Sequence, residues 1–463
     1  MQKAKRRPDG QFFTRNRKSI NLFFFCASIL VFAAMIVISA SSVTNEPKAA
    51  TLSVPLCLLY CLIVFLAAGK KMLDLPVDRF LAILAFSAFA LLVRYMFLSW
   101  RSSDYVVCLE HWLSHVRETP GATTLAQTIG NYNTPYFYIV FLIGKLTDLS
   151  LEMFYLKFAS VLFDIVAAYY IMRLVSLKDK RGWVRLGAFF TILLLPSVIL
   201  NGSVWTQCDS IYAAFALGGL FYGITRQGKL SLLFFAIALS FKLQAIFILP
   251  MIIPLLILGY IRWKDLWVFP AAFFATLLPS ALAGRNIIDM LSIYLKQVGD
   301  FPSATLGCPN LFGLLGMTGI GSAVEYAMIL ISGFGCCVLL YILYYFRSNL
   351  NEELLCLSAF LFVLIIPYTL PRMHERYFYL ADLLSVLFAF WFSKRWYVAV
   401  LVAVSSFLCY LPFLFGNGYE MPFALPLLSL AMLIAIGIVL KQTLSGLIHP
   451  QQQIPDRDSM PKY

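Results

Sequence analysis

Residues 370–378 read Leu-Pro-Arg-Met-His-Glu-Arg-Tyr-Phe, which sets Arg372, His374, Glu375 and Arg376 within five positions. Two guanidiniums and an imidazole can grip a phosphate, because guanidinium offers a planar fork of donors that matches phosphate oxygens. A local salt-bridge network between Glu375 and the arginines is the plainer alternative. A single carboxylate, Asp104, follows Arg101-Ser102-Ser103 where an apolar run ends. A carboxylate at a membrane surface can stay ionised and act as general base toward a hydroxyl. Capping a helix over residues 105–116 is its other reading.

Three further stretches carry polar groups beside apolar runs. Residues 201–212 read NGSVWTQCDSIY and put Gln207 and Asp209 at or just inside the membrane surface. Carboxylates there are costly, so Asp209 is a functional candidate by default, although it can also cap the next helix. Lys242 and Gln244 lie in SFKLQ, late in an apolar stretch. Such a lysine either snorkels to the surface or holds a phosphate as a point charge. Asn131 and Tyr132 belong to NYNTPY, either a sugar-facing loop or an aromatic belt with a turn.

The elements that must position these groups are membrane helices. Of 463 residues 61% are apolar and 13% charged, against about 25% charged in soluble domains. Apolar runs of about 20 residues, the length of a crossing, recur along the whole chain. A lone β-barrel would show alternating segments of about 10 residues instead. The runs predict an all-α polytopic bundle of about 14 crossings (range 11 to 14), near residues 20–40, 51–69, 79–99, 154–175, 184–201, 209–225, 230–247, 249–260, 266–284, 321–346, 353–370, 376–392, 396–415 and 421–440. They form one domain over 20–440, between a basic tail (1–19) and a second tail (441–463). The pair within 230–260 is short for two passes and contains Pro250 and Pro254. The segment 134–148 is read as lying along the membrane, because counting it would turn the basic residues 173–185 outward.

With both ends inside, 25 of the 36 lysines and arginines fall on the inner side. That bias orients the chain and suits contact with anionic lipid, so the net charge of +13 is no nucleic-acid footprint. Polarity gathers in outer loops at about 100–153, 201–208, 285–320 and 371–376. Arg372 and Arg376 there run against the charge rule. Cys108, Cys208 and Cys308 fall in outer loops, where an oxidising compartment permits one disulfide. No CxxC or metal-type Cys/His cluster occurs.

Taken together, SSDY with its downstream HW, NYNTPYFY, WTQCDSIY, SFKLQAIFILP, AGR at 283–285 and PRMHERYFYLAD resemble the GT-C superfamily of integral-membrane glycosyltransferases. Bacterial proteins related to the second GPI mannosyltransferase are similar in the order and spacing of these stretches, over about residues 94–385. The resemblance implies inverting transfer of a hexose, mannose by the family's name. The donor would be a polyprenyl-phosphate sugar, and the acceptor an envelope glycan, glycolipid or glycoprotein at the outer face of a bacterial cytoplasmic membrane. It implies Asp104 as base and a donor phosphate held by Arg372, His374 and Arg376; Lys242, read above as a point charge for phosphate, joins them as a candidate. Asn131, Tyr132, Gln207, Asp209, Gln244 and Glu375 would line the substrate pocket. Some members carry a paired acidic motif where this chain has Asp104 alone, so a divalent metal stays open and no residue is assigned to one. A transporter or flippase of a lipid-linked sugar is the rival reading. It would favour internal repeats and midplane charges, and neither is evident. A non-catalytic subunit of a polysaccharide assembly complex is the other.

Overall fold

A computed structural model of the chain describes residues 16–43, 48–299, 303–416 and 424–449. The basic stretch up to Arg15 and the tail from Pro450 lie outside the described residues. The fold is 80% helical and divides into two compact units, Met1–Thr124 with Tyr136–Ala214, and Leu125–Pro135 with Phe215–Tyr463.

The first unit contains α1 (Arg17–Val43), α2 (Lys48–Ala68), α3 (Val77–Tyr95), α4 (Glu110–Glu118), α5 (Thr134–Leu146), α6 (Glu152–Lys178), α7 (Gly182–Leu193) and the start of α8 (Asp209–Ile224). α1 leaves Phe23, Leu30 and Ile38 exposed, an arrangement suited to hydrocarbon. α6, the central helix, packs along α7 and is buried along most of its length. One end of the unit is basic: Arg17 donates to the Asp74 carbonyl at 2.9 Å and Lys18 pairs with Asp74 at 3.4 Å. At the other end Lys157 of α6 donates to the carbonyls of Phe97, Leu98 and Trp100 at 2.8, 3.2 and 2.6 Å. An ammonium has three N–H donors, and these three carbonyls match that number in the turn that follows α3. Deeper in the unit, Arg94 pairs with Asp164 at 3.1 Å, with the two side chains 2% and 0% exposed. Arg94 also donates to the Leu193 carbonyl at 2.7 Å.

The second unit contains α9 (Gly228–Phe241), α10 (Val268–Leu282), α11 (Ile287–Gly299), α12 (Ser322–Tyr345), α13 (Glu352–Thr369), α14 (Tyr379–Trp391), α15 (Tyr397–Phe415) and α16 (Ala424–Ile448). α9 packs along α10, and α13, α14, α15 and α16 form a second packed set. Asn351 starts α13, its side-chain oxygen accepting from the Leu354 N–H at 2.9 Å. Among the described residues a single pair of two-residue strands, β1 (Thr305–Leu306) and β2 (Met373–His374), runs parallel, with Thr305 opposite Met373 and Leu306 opposite His374.

Among the described residues eight helices are long and apolar enough to cross a membrane, or nine if Gly182–Leu193 and Pro196–Val204, bent by 46°, are one span. The all-α polytopic architecture is therefore present, with fewer full-length helices than the run count suggests. The backbone explains the difference. α8, α9 and α14 have 16, 14 and 13 residues. After Lys242 the chain makes two single turns and a six-residue helix, Ile252–Ile257, where Pro250 and Pro254 remove amide donors. Pro196 stands at the bend of the broken pair. α5, at 13 residues, is about 20 Å long at 1.5 Å per residue, short of the roughly 30 Å hydrocarbon core. α16 runs eight residues past the expected boundary at 440. All ten cysteines are free thiols, so the disulfide permitted among Cys108, Cys208 and Cys308 is not formed.

Candidate active site

In the first unit Asp104 precedes a π-helical turn, Tyr105–Leu109, and makes no capping hydrogen bond to it. Ser102 does that work: its hydroxyl accepts from the Tyr105 N–H at 3.2 Å and donates to the Trp205 carbonyl at 2.7 Å. The capping role open to Asp104 in the sequence thus belongs to Ser102. The Asp104 carboxylate instead accepts two hydrogen bonds on Oδ2, from Trp205 Nε1 and Gln207 Nε2, each at 2.7 Å. Charge-assisted bonds of this length are among the stronger ones in proteins. Trp205 and Gln207 are 0% and 2% exposed, whereas Asp104 is half-buried, so rigid donors hold a reachable carboxylate.

Local backbone makes this possible. Residues 200–204 form a second π-helical turn, and Thr206, between the two donors, takes the left-handed conformation with φ +68°. A non-glycine residue there is strained, and such strain persists only where its surroundings enforce it. The enforcement comes from α6, where Ser160 donates to the Gln207 carbonyl at 2.6 Å and accepts, through its own carbonyl, from Ser210 at 2.9 Å. Asp209 is buried and accepts from Asn201 Nδ2 at 2.7 Å. Burial pushes the neighbouring Tyr105 hydroxyl up to about 12, with Glu110 adding to the shift.

In the second unit the Arg372–Arg376 stretch is pinned by the β1–β2 pair. The Arg372 N–H donates to the Ala304 carbonyl at 2.8 Å and the Glu375 N–H to Leu306 at 3.1 Å. Arg372 has φ +61° and turns its guanidinium onto Glu325 at the start of α12. Nη2 donates to Oε2 at 2.8 Å, and Nε lies 2.8 Å from Oε1. Glu375 is fully buried. It lies 3.8 Å from both His374 Nδ1 and Arg376 Nη1, balancing charge without accepting a hydrogen bond from either. The local network that Glu375 offered is therefore loose, and Arg372 is held elsewhere. Burial pushes the Cys308 thiol, just past β1, well up, and Cys409 and Glu375 add to it.

Lys242 ends α9 at 6% exposure, with Nζ 5.4 Å from the ring centroid of Tyr132, a cation–π distance. Gln244 is buried in the next turn, and its Oε1 accepts no hydrogen bond among the described residues. Phe247 of that turn contacts Tyr377, which also contacts His374, at ring distances of 6.3 and 5.2 Å. Asn131 is exposed, and its carbonyl accepts from Gln297 at 2.6 Å. The expected pocket residues are thus divided. Gln207 and Asp209 join Asp104 in the first unit, while Asn131, Tyr132, Gln244 and Glu375 belong to the second. Among the described residues no group of three His, Cys, Asp or Glu could hold a metal ion.

Trp205, Ser102 and Glu325 escaped the sequence reading. Trp205 was legible only as part of a motif. Glu325, an acid in the first turn of an otherwise apolar helix, carried the signal of an intramembrane charge in need of a partner.

Glycosyltransferase family 87 matches residues 131–367, just over half of the chain. The match includes Gln207, Asp209, Lys242 and Glu325 and leaves Asp104 and Arg372–Arg376 outside it. No curated protein matches the chain.

Proposed function

Because the chain belongs to glycosyltransferase family 87, of the GT-C type, we propose that it moves a hexose, with mannose the first candidate, from a polyprenyl-phosphate donor to an envelope glycan, glycolipid or glycoprotein. The reaction is inverting and takes place on the outer face of a bacterial cytoplasmic membrane, with both termini inside. Asp104 takes the proton from an acceptor hydroxyl as that oxygen attacks the anomeric carbon. The bond from that carbon to the phosphate oxygen breaks, and polyprenyl phosphate leaves with the electron pair. The leaving group is already an anion, so no strong general acid is required, and stabilising the charge that gathers on it is the main electrostatic task. Arg376, His374 and Lys242 serve that task, with Arg372 in support. Glu375 orients His374 and Arg376. Gln207 and Trp205 aim the base, and Asp209, Asn131, Tyr132 and Gln244 contact sugar or acceptor.

The observation that carries the reading is the Asp104 carboxylate, held by two buried donors and still half-exposed. Purified protein incubated with labelled polyprenyl-phosphate mannose and an acceptor lipid extract should transfer label. Asp104→Asn should abolish transfer at unchanged expression, and full activity in that variant would remove the base. Movement of the donor across a vesicle membrane without transfer would make the protein a flippase. The absence of both transfer and movement would make it a scaffold subunit.

A further inference from the structure

A second charged centre lies within the second unit, where the α8–α9 turn meets the turn that leads into α10. There a cavity of about 350 Å³ is lined by Arg226, Lys229 and Arg262 against a single carboxylate, Asp265. The approach of the two turns is enforced. A Cβ on Gly228 would stand 2.7 Å from the Tyr260 carbonyl oxygen and 3.0 Å from Ile261 Cα, so only glycine fits. Arg226 is held at φ +61°, a strained conformation for a non-glycine residue. Its guanidinium lies 4.7 Å from the Tyr260 ring centroid. Arg262 Nε donates to Asp265 Oδ2 at 2.7 Å, which neutralises one cation. Lys229 stands in the first turn of α9, where the positive end of the helix dipole adds to its field. Asp265 therefore leaves two positive charges of the cavity uncompensated.

Charge bias alone would explain basic residues at this end of the helices. It would not explain three that converge on one cavity through a strained residue and an obligatory glycine. Trp263 and Trp267, 72% and 62% exposed, flank the site. Indoles exposed in this way belong at headgroup depth, and Leu230, also on the cavity wall, starts the apolar face below it. We propose that the cavity binds the phosphodiester headgroup of an anionic phospholipid, with the acyl chains running down beside α9 and α10. Basic pockets between membrane helices hold such headgroups by this chemistry.

The test uses full-length protein, stripped of lipid in detergent, with cardiolipin added and binding read by native mass spectrometry alongside the thermal midpoint. Wild type should retain one cardiolipin and melt higher with it than with phosphatidylcholine. Lys229→Gln, an exposed position, should weaken cardiolipin binding about fivefold, and Lys229→Gln with Arg226→Gly (glycine suits the left-handed turn) at least tenfold. Neither variant should change the midpoint in phosphatidylcholine. Equal cardiolipin affinity in wild type and both variants would overturn the proposal. So would an equal gain in midpoint from phosphatidylcholine, or from inorganic phosphate at millimolar concentration, which would make the cavity a free-anion site. Should the double variant fail to fold, the single variant together with Lys229→Arg, which should restore binding, carries the test alone.

Discussion

Gln207→Ala removes one of the two hydrogen bonds to Asp104 Oδ2 and leaves the backbone around it in place, because Ser160 holds residue 207 through its carbonyl. A hydrogen bond to a charged group contributes about 1.5–3 kcal/mol, and each 1.4 kcal/mol is about a factor of ten in rate. If that bond exists to aim the base, its loss is felt in the transition state. kcat should then fall roughly 10- to 100-fold, with the donor KM within about twofold of wild type. If the bond only stabilises the fold, the thermal midpoint falls and kcat in the surviving protein stays level. The assay is initial-rate transfer of labelled sugar across a range of donor concentrations, with melting measured on the same preparation. An unchanged kcat in Gln207→Ala would refute the assignment of Gln207 as the residue that aims the base.

Other expectations follow from the same contacts. Arg94→Met strands the buried Asp164 carboxylate and should destabilise the protein by about 3–5 kcal/mol, seen as a lower melting temperature; adding Asp164→Leu should recover most of it. Arg376→Ala should raise the donor KM more than Arg372→Ala does, because Glu325 already engages the Arg372 guanidinium on two atoms; equal effects in a donor titration would dissolve the distinction. The buried Cys308 thiol stays protonated as pH rises through the ordinary thiol range. It should therefore resist N-ethylmaleimide at pH 8.5 in native protein and react after denaturation, as peptide mass spectrometry would show.

The membrane architecture was legible because hydropathy is a property of runs, and a run of about 20 apolar residues has few other fates. Asp104, Gln207 and Asp209 stood out because polar groups beside such runs are expensive. What stayed hidden depends on backbone conformation or on distant partners. The left-handed Thr206 that turns Trp205 and Gln207 toward one oxygen has no signature in composition. Neither does the pairing of Arg372 with Glu325, which are 47 positions apart. Lys157 looked like an ordinary charge near the end of a span, and only the structure shows three backbone carbonyls converging on it. The excess of expected crossings has the same origin. Apolar composition continues through Lys242, Pro250 and Pro254, but the regular hydrogen bonding of a helix does not.

Arginines facing a membrane surface pose a problem that Arg372 and Arg376 solve differently. A buried guanidinium without a counter-charge is strongly destabilising, and one locked onto a carboxylate has few donors left for a ligand. Arg372 takes the locked course with Glu325, which suits a residue that fixes the left-handed turn at the head of the stretch. Arg376 lies 3.8 Å from a Glu375 that accepts no hydrogen bond from it. At that spacing the carboxylate lowers the electrostatic cost of burial without locking the guanidinium as Glu325 locks that of Arg372. His374 stands in the same relation to Glu375 on its other oxygen. A phosphate entering beside this pair would meet donors whose charge is balanced but whose hydrogen bonds Glu375 has not taken. In the proposed reaction, that asymmetry favours Arg376 and His374 over Arg372 as the groups that contact the leaving phosphate.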